Sequence, residues 1–219
     1  MYFRHKGFTL VELLITVVVV SIGVALAVPS WDNLVQKRQV TSAAEELASF
    51  LAYAQSEAVK SNEEVTVTFK RNGAGTAWCI GAIDEETKDA NGLDHCECDA
   101  AINHASQCKI AGQIARVYNG GFEKFTMDSS QQEGTDSTDM HFNFDPIRGI
   151  KTADDGITVD SNEHLVTVVS ANGHFKLQVD VEVTGRVRVC NPVSTKQIPG
   201  FQSCSSGPII VNPPPVISP

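Results

Sequence analysis

The segment HCECDAAINHASQC, residues 95–108, carries side chains of the types that bind transition metals. Imidazole and thiolate groups suit zinc, and here they belong to His95, Cys96, Cys98, His104 and Cys108. The Cys-x-Cys spacing is not that of a zinc knuckle, and an even total of six cysteines in an exported chain favours disulfides. We therefore expect disulfides in this segment, and neither a bound metal nor a cofactor.

Catalytic patterns are missing from the rest of the sequence. The acidic segment DEETKDANGLD, residues 84–94, offers the oxygen ligands that calcium prefers, but without the spacing of an EF-hand. No nucleophile elbow, phosphate-binding loop or HExxH motif occurs. We expect a solvated acidic loop at 84–94 and a protein that is not an enzyme.

Basic residues near the end of the chain form a candidate phosphate-binding patch. Arg186 and Arg188 alternate in TGRVRVCNP, so on a strand both would leave the same face, and Lys196 follows in the next loop. Such a patch can contact the phosphates of DNA without reading its sequence. The alternative is that arginines on an edge strand serve solubility. The net charge of −9 and a single nearby aromatic residue, Phe201, weigh against DNA.

A carboxylate interrupts the apolar run at the start of the chain. Residues 8–28 carry one charge, Glu12, and follow a short basic flank. At 1.5 Å per residue this run spans roughly 30 Å, the thickness of the hydrocarbon core of a bilayer. The basic flank predicts a cytoplasmic N-terminal end and an exported remainder. Acids within such runs usually mark a functional pairing, so neither a simple anchor nor a signal peptide cleaved after Ala27 accounts for Glu12.

The cysteines and the charge distribution describe the exported part. Cys190 and Cys204 stand apart from the other four cysteines and are expected to form one bridge. Cys79 would join one of Cys96, Cys98 or Cys108, a choice that the sequence leaves open. Residues 79–165 hold seventeen acids against six bases, whereas residues 166–219 hold two acids against four bases. The middle of the chain is thus acidic and its end is weakly basic.

The elements that position these residues follow from hydrophobic periodicity. One long helix is predicted from about residue 8 to residue 60, kinked near Pro29. Its second half has one apolar face whose residues are spaced three, four or six apart, namely Leu34, Val40, Ala44, Leu47, Leu51, Ala54 and Ala58. Short β-branched and aromatic runs follow, with Asn172-Gly173 as a hairpin signal. The fold class is therefore α+β, a long helix packed on an antiparallel sheet or sandwich. The predicted parts are a leader (1–7), a transmembrane half-helix (8–28), an amphipathic half-helix (29–60), a β-rich head (61–204) and a Pro-rich tail (205–219).

Three segments together resemble a known family. GFTLVELLITVVVV, residues 7–20, resembles the cleavage and assembly segment of type IV pilins and type II secretion pseudopilins. FDPIRG at 144–149 and TGRVRVCNP at 184–192 resemble the FimT/FimU–GspH group of minor pilins and pseudopilins. The resemblance implies that a prepilin peptidase cuts after Gly7 and that the new terminus at Phe8 is methylated. It also implies that the amine of Phe8 pairs with Glu12 of a neighbouring subunit.

The resemblance also implies a function. The chain would be a minor type IV pilin, held in the inner membrane with a periplasmic head and then incorporated with other pilins at the pilus tip, where it helps start assembly. The alternatives are a GspH-type pseudopilin of a type II secretion system and a DNA-binding minor pilin for natural transformation. For the last of these, Arg186, Arg188 and Lys196 would be the DNA-binding residues.

Overall fold

The computed structural model describes residues 8–72, 77–118, 125–128, 139–153, 158–160, 164–192 and 196–204. The predicted leader, with Gly7, and the predicted Pro-rich tail from residue 205 lie outside the described residues. The described elements are a long helix, a short second helix and two antiparallel sheets with a small β-ribbon. This arrangement is the predicted α+β architecture.

The long helix, α1, covers Leu10–Ser61. Its N-cap is Thr9, whose hydroxyl oxygen accepts a hydrogen bond from the backbone N–H of Glu12. Its C-cap is Asn62, which adopts the left-handed conformation that closes a helix (φ 56°). Helix α1 continues through position 29, so one helix of 52 residues carries both the predicted membrane half and the amphipathic half, and the kink near Pro29 stays a prediction.

The head consists of the elements that follow α1. The bounds of the elements are β1 Val65–Arg71, β2 Trp78–Asp84, α2 Glu85–Asn91, β3 Lys109–Ile110, β4 Gln113–Ile114, β5 Arg116–Tyr118, β6 Phe125–Asp128, β7 Asp139–Phe144, β8 Lys151–Thr152, β9 His164–Ser170, β10 Lys176–Val181 and β11 Val187–Cys190. Strand β1 forms the centre of a five-stranded antiparallel sheet with the order β5-β2-β1-β7-β8. Strands β10 and β9 form the centre of a four-stranded sheet with the order β11-β10-β9-β6.

The core lies between the second half of α1 and the two sheets. The helix contributes a buried stripe in which small residues let the strands approach closely, and the sheets contribute large aromatic side chains. The buried stripe consists of Val40, Ala43, Ala44, Leu47, Leu51, Ala54 and Ala58, and the aromatic residues that pack in the core include Phe69, Phe142, Phe144 and Phe175.

The apolar stripe differs from its predicted form at its first position. Leu34, predicted to lie on the core face, is 44% exposed, whereas Gln36 is buried. The reason is a specific polar contact: the side-chain oxygen of Gln36 accepts a 3.3 Å hydrogen bond from the backbone N–H of Asn172. The helix therefore meets the turn between β9 and β10 through a glutamine rather than through a leucine.

Helix α2 replaces part of the loop predicted at 84–94. Asp84 is its N-cap and accepts a hydrogen bond from the backbone N–H of Thr87, while Gly92 ends it in the left-handed conformation (φ 61°). Both capping signals are present in the sequence, although a helix of seven residues has too little periodicity to be detected by pattern alone.

Three disulfides join all six cysteines. They link Cys79 to Cys98, Cys96 to Cys108, and Cys190 to Cys204. The first two lie side by side against β2 at Gly81, where a Cβ atom would lie 2.8 Å from the Cβ of Cys108 and 3.0 Å from that of Cys98. The sulfur atoms that a zinc site would need as thiolates are therefore bonded in disulfides.

Candidate functional site

The first half of α1 is apolar on every side and is not covered by the head. Its large apolar side chains from Phe8 to Val24 are between 48% and 78% exposed. Soluble monomers rarely expose a contiguous apolar surface of this extent, which usually marks contact with a membrane or with other proteins. Among the residues that the structure describes, no helix combines the length and the apolarity needed to cross a membrane.

Glu12 lies in the first turn of this exposed half-helix. Its position near the N-terminus is electrostatically favourable because the helix dipole is positive at that end. The hydrogen bond to Thr9 uses its backbone N–H and leaves its carboxylate exposed, with no cation of the described residues in contact. Thr16 and Ser21, the polar residues farther along, donate their hydroxyls to the carbonyls of Leu13 and Val18, each at 2.8 Å. The carboxylate is thus the group on this surface that still needs a partner.

The two motifs of the head, FDPIRG and TGRVRVCNP, meet over the second half of α1. The side-chain amide of Gln55 donates a 2.7 Å hydrogen bond to the carbonyl of Gly149. Gly185 (φ 77°) lies against the same two residues, and a Cβ atom there would overlap the carbonyl oxygen of Gly149 and the amide nitrogen of Gln55. We call this contact of Gln55, Gly149 and Gly185 the glycine junction. Gly185 is required by close approach, whereas Gly149 is favoured by its left-handed backbone conformation (φ 63°).

The FDPIRG turn is closed by its own charged residues. One oxygen of the Asp145 carboxylate accepts the backbone N–H groups of Ile147 and Arg148, and the other accepts the Arg148 guanidinium at 2.8 Å. The hydrogen bond that the Arg148 guanidinium donates is the main cause of the lowered pKa of Asp145. The same hydrogen bond raises the pKa of Arg148. These residues serve the shape of the turn.

The two arginines of the predicted phosphate patch are in different environments. Arg188 lies within β11 opposite Asp180, and its guanidinium pairs with the carboxylates of Asp180 at 3.4 Å and Glu182 at 3.9 Å. Arg186 precedes β11, lies in the turn after Glu182 and is exposed. Strand β11 begins at Val187, so of the two arginines only Arg188 lies within it, and the prediction that both leave one face stays a prediction.

Lys196 lies at the other end of the head. Its ammonium is 5.6 Å from the centre of the Phe175 ring, and Lys37 of α1 approaches the same ring at 5.2 Å. Arg186 follows Gly185, which contacts Gln55. Positions 37 and 55 of α1 are about 27 Å apart along the helix axis. The structure therefore does not bring Lys196 together with the two arginines.

The histidines and acids of residues 95–108 contact other side chains of the head. The rings of His95 and His141 stack with centres 4.9 Å apart. Lys70 holds the segment by ion pairs to Glu97 at 2.6 Å and Asp99 at 3.0 Å, and the hydrogen bond that it donates to Glu97 raises the pKa of Lys70. Within the described ranges, no group of three or more histidine, cysteine, aspartate or glutamate side chains is arranged to hold a metal ion.

Two family models match the chain at the regions just described. Residues 2–28 match the prokaryotic N-terminal methylation motif. Residues 43–198, more than half of the chain, match the family described as type II transport protein GspH. The chain belongs to the GspH family.

Relatives of this GspH-family chain include proteins of two other bacteria. It is 33% identical over 98 residues to an uncharacterized protein of Haemophilus influenzae, covering 45% of this chain and 58% of the relative. It is 31% identical over 88 residues to a fimbrial protein of Pseudomonas aeruginosa, covering 40% of this chain and 55% of the relative. The chain thus spans a little over half the length of the curated relatives it matches.

Two solved structures are similar to part of this chain. The type IV minor pilin FimU of Pseudomonas aeruginosa is 18% identical, with a TM-score of 0.43 over 74% of this chain and 99% of that one. The minor pseudopilin EpsH from the type 2 secretion system of Vibrio cholerae is 10% identical, with a TM-score of 0.42 over 71% of this chain and 99% of that one.

Two features of this GspH-family head could not be predicted from the sequence. One is the pairing of Lys37 with Lys196 around Phe175, which joins residues far apart in the chain. The other is the glycine junction, in which Gln55 meets two later loops. The repeated glycines of FDPIRG and TGR were the available signal for close backbone approach.

Proposed function

We propose that this chain is a minor type IV pilin that enters the pilus at or near its tip and helps to start assembly with other pilins. The observation that carries the proposal is the uncovered apolar half of α1, which begins with a capped turn that presents Glu12. Such a surface needs a membrane or neighbouring helices around it. The match to the N-terminal methylation motif supports the same conclusion.

The proposed maturation begins with cleavage between Gly7 and Phe8 by a prepilin peptidase. Cleavage creates a free amine on Phe8, which is methylated and is cationic at neutral pH because the reference pKa of an α-amino group is near 8. Residues 8–28 hold the chain in the inner membrane, with the head in the periplasm, until it is assembled.

In the fibre, the apolar half of α1 packs against the same halves of neighbouring subunits. Either charge alone in that apolar surrounding costs several kcal/mol, on the order expected for an unpaired buried ion. The carboxylate of Glu12 in one subunit and the amine of Phe8 in its neighbour neutralise each other, and this pairing sets the axial register of the helices.

Mass spectrometry of the mature N-terminus in the native cell tests this maturation. We expect a chain that starts with methylated Phe8, and we expect Gly7→Ala to accumulate as the uncut precursor. A wild-type chain that starts at Met1 in the assembled fraction would contradict the proposal. No catalytic function of the chain itself is required.

A minor pseudopilin of a type II secretion system is the second candidate, because the matched family is described as a type II transport protein. Deletion of the gene separates the two. Loss of surface pili with unchanged protein secretion supports the minor pilin, whereas loss of secretion with normal pili supports the pseudopilin. The same deletion strain, complemented with variants, serves for all later assays.

DNA binding by Arg186, Arg188 and Lys196 is not part of this proposal. The three residues do not share one surface, and Arg188 already contacts two carboxylates. Mobility-shift assays with duplex DNA, comparing the wild type with the Arg186→Ala/Arg188→Ala double variant, test the alternative. A large loss of affinity in the double variant would restore the arginines as a DNA site.

A further inference from the structure

Two lysines from distant parts of the chain meet at one buried aromatic ring. Lys37 belongs to α1 and Lys196 to the loop closed by the Cys190–Cys204 bridge, and their ammonium groups lie 5.2 Å and 5.6 Å from the centre of the Phe175 ring. Phe175 is fully buried, while Lys196 is exposed. Within the described part of the chain, neither lysine has a carboxylate at ion-pair distance. The ring can stabilise cations here, but it leaves their charge available.

The loop that carries Lys196 is held in place by a buried side chain. Asn191 is fully buried and donates its amide to the carbonyls of Ile198, at 3.0 Å, and Phe201, at 2.8 Å. Its carbonyl oxygen accepts the backbone N–H of Ile198 at 2.9 Å. With the disulfide, these bonds hold the backbone beside Lys196 in a defined conformation. The meeting with Lys37 is therefore a built feature of the fold.

Three segments near these two lysines are basic when taken together. Residues 31–38, 171–176 and 196–204 contain four bases, namely Lys37, Arg38, Lys176 and Lys196, against one acid, Asp32. Asp32 is engaged locally, since its carboxylate accepts a 2.7 Å hydrogen bond from the side chain of Gln36. We call these four bases the basic collar.

The opposite end of the head is acidic. The end of α1 and helix α2 lie together there, because the backbone N–H of Glu85 donates to the carbonyl of Glu64. Residues 57–64 and 85–91 contain six acids against two lysines, and those two pair with acids of the same regions, Lys60 with Glu57 and Lys88 with Glu64. Among the described residues, these two groups of segments thus differ in the sign of their charge, and the basic group is the nearer to the apolar half-helix.

The basic collar lies just beyond the apolar run. Lys37 is nine residues after Val28, about 13 Å farther along the helix. The headgroup zone of a bilayer extends roughly 5–7 Å beyond the hydrocarbon core, so the collar stands within one Debye length, about 10 Å, of lipid phosphates. Lysine side chains can extend toward that zone. Trp31, between the two, is 68% exposed, as suits a residue at a membrane interface.

We propose that the basic collar binds the phosphates of anionic lipids at the surface of the membrane that holds the chain before assembly. The proposal rests on the membrane stage of the proposed function. Each lysine near an anionic surface strengthens association about fivefold, so the collar draws its end of the head onto the bilayer while the acidic end is repelled. Assembly into a fibre then requires release of these contacts.

Lysine footprinting of the full chain tests the collar. The protein is inserted into nanodiscs of phosphatidylcholine alone or of phosphatidylcholine mixed with phosphatidylglycerol, and the acetylation rate of each lysine is read by mass spectrometry. We expect Lys37 and Lys196 to react several-fold more slowly in the anionic discs, and the difference to vanish at high salt. Lys60, whose side chain is 75% exposed at the far end, is the internal control and should react alike in both.

A charge variant sharpens the test. Lys37→Gln should weaken the lipid-dependent protection of Lys196 about fivefold, whereas the matched variant Lys60→Gln should leave it unchanged; unfolding midpoints show that both variants fold. Equal acetylation in the two kinds of disc, with the chain inserted, overturns the collar alone. A chain that inserts into neither disc overturns the membrane stage as well. Protection of the collar by duplex DNA in neutral discs, but not by phosphatidylglycerol, assigns it to nucleic acid instead.

Discussion

The side-chain amide of Gln55 donates a 2.7 Å hydrogen bond to the carbonyl of Gly149, 94 positions later in the chain. Gly185, in a third segment, lies against both partners of this hydrogen bond. One glutamine of the helix therefore contacts two loops of different sheets, and the family-like segments FDPIRG and TGRVRVCNP meet at this contact.

Gly185→Ala should destabilise the head by about 1–3 kcal/mol. The new Cβ would collide with the Gly149 carbonyl and the Gln55 amide, and alanine would also be strained at a φ of 77°. Urea unfolding of the full chain in detergent measures the change. Gly173→Ala is the control, since its φ of 72° imposes the same strain with open space around the Cβ. Equal losses in both variants would mean that the junction contributes nothing.

Glu12→Gln should reduce the amount of the chain in sheared fibres about tenfold or more, because it leaves the amine of Phe8 without a counter-charge in an apolar surrounding. Processing at Gly7 should be largely intact, which the mature N-terminal peptide reports. Glu46→Gln changes an exposed glutamate of the same helix and should assemble normally. Normal assembly of the Glu12 variant would refute the proposed pairing.

Arg188→Ala should lower the free energy of unfolding by about 1–3 kcal/mol. The carboxylate of Asp180 is buried, and it would lose the hydrogen bond that the Arg188 guanidinium donates to it. Arg186→Ala removes an exposed side chain in a turn and should change the free energy of unfolding by less than about 0.5 kcal/mol. Urea midpoints of the two variants give the comparison. A larger effect at Arg186 would show that the ion pairs of Arg188 do not support the sheet.

Arg148→Gln should make the head less sensitive to acid. The hydrogen bond from Arg148 lowers the pKa of Asp145 in the folded state, so its stabilising effect is present above the unfolded pKa, near 4. That effect is lost as the pH falls through the lower, folded pKa. The variant should therefore have a lower urea midpoint than the wild type at pH 7, with the gap closing below pH 4. A gap of constant size down to pH 2 would contradict this cause.

Gly81→Ala should disturb the two disulfides that lie against β2. A Cβ there would overlap the sulfur of Cys108, which is bonded to Cys96, and would also lie 3.0 Å from the Cβ of Cys98 in the other bridge. Peptide mapping without reduction should detect free or mispaired thiols among Cys79, Cys96, Cys98 and Cys108. Gly112→Ala, with open space around its Cβ, should keep the wild-type pairing.

The long helix and most of the strands were predictable because their signals are local. The stripe from Val40 to Ala58 follows the helical period, and the alternating runs of β1, β7 and β9 follow the period of a strand. Helix α2 was missed because capping residues alone carry its signal. The prediction of the core stripe was wrong at Leu34, because the side chain of Gln36 accepts a hydrogen bond from the backbone N–H of Asn172, far along the chain.

The candidate site was predictable only in its first part. Phe8 and Glu12 stand in a motif whose residues are close in sequence. The basic residues were grouped by proximity along the chain, which placed Lys196 with Arg186 and Arg188. The fold instead places Lys196 beside Lys37, because the strand β11 runs back down the helix before the Cys190–Cys204 loop begins. Sequence distance could not give that pairing.

The unbroken form of α1 gives it mechanical consequences. A helix of 52 residues is about 78 Å long, and the head packs on its second half. Because α1 is helical from Leu10 to Ser61, an axial displacement of the apolar half is transmitted along the same helix to the head. If the proposed assembly moves the apolar half along its axis, the head moves with it, and lipid contacts of the basic collar oppose that movement.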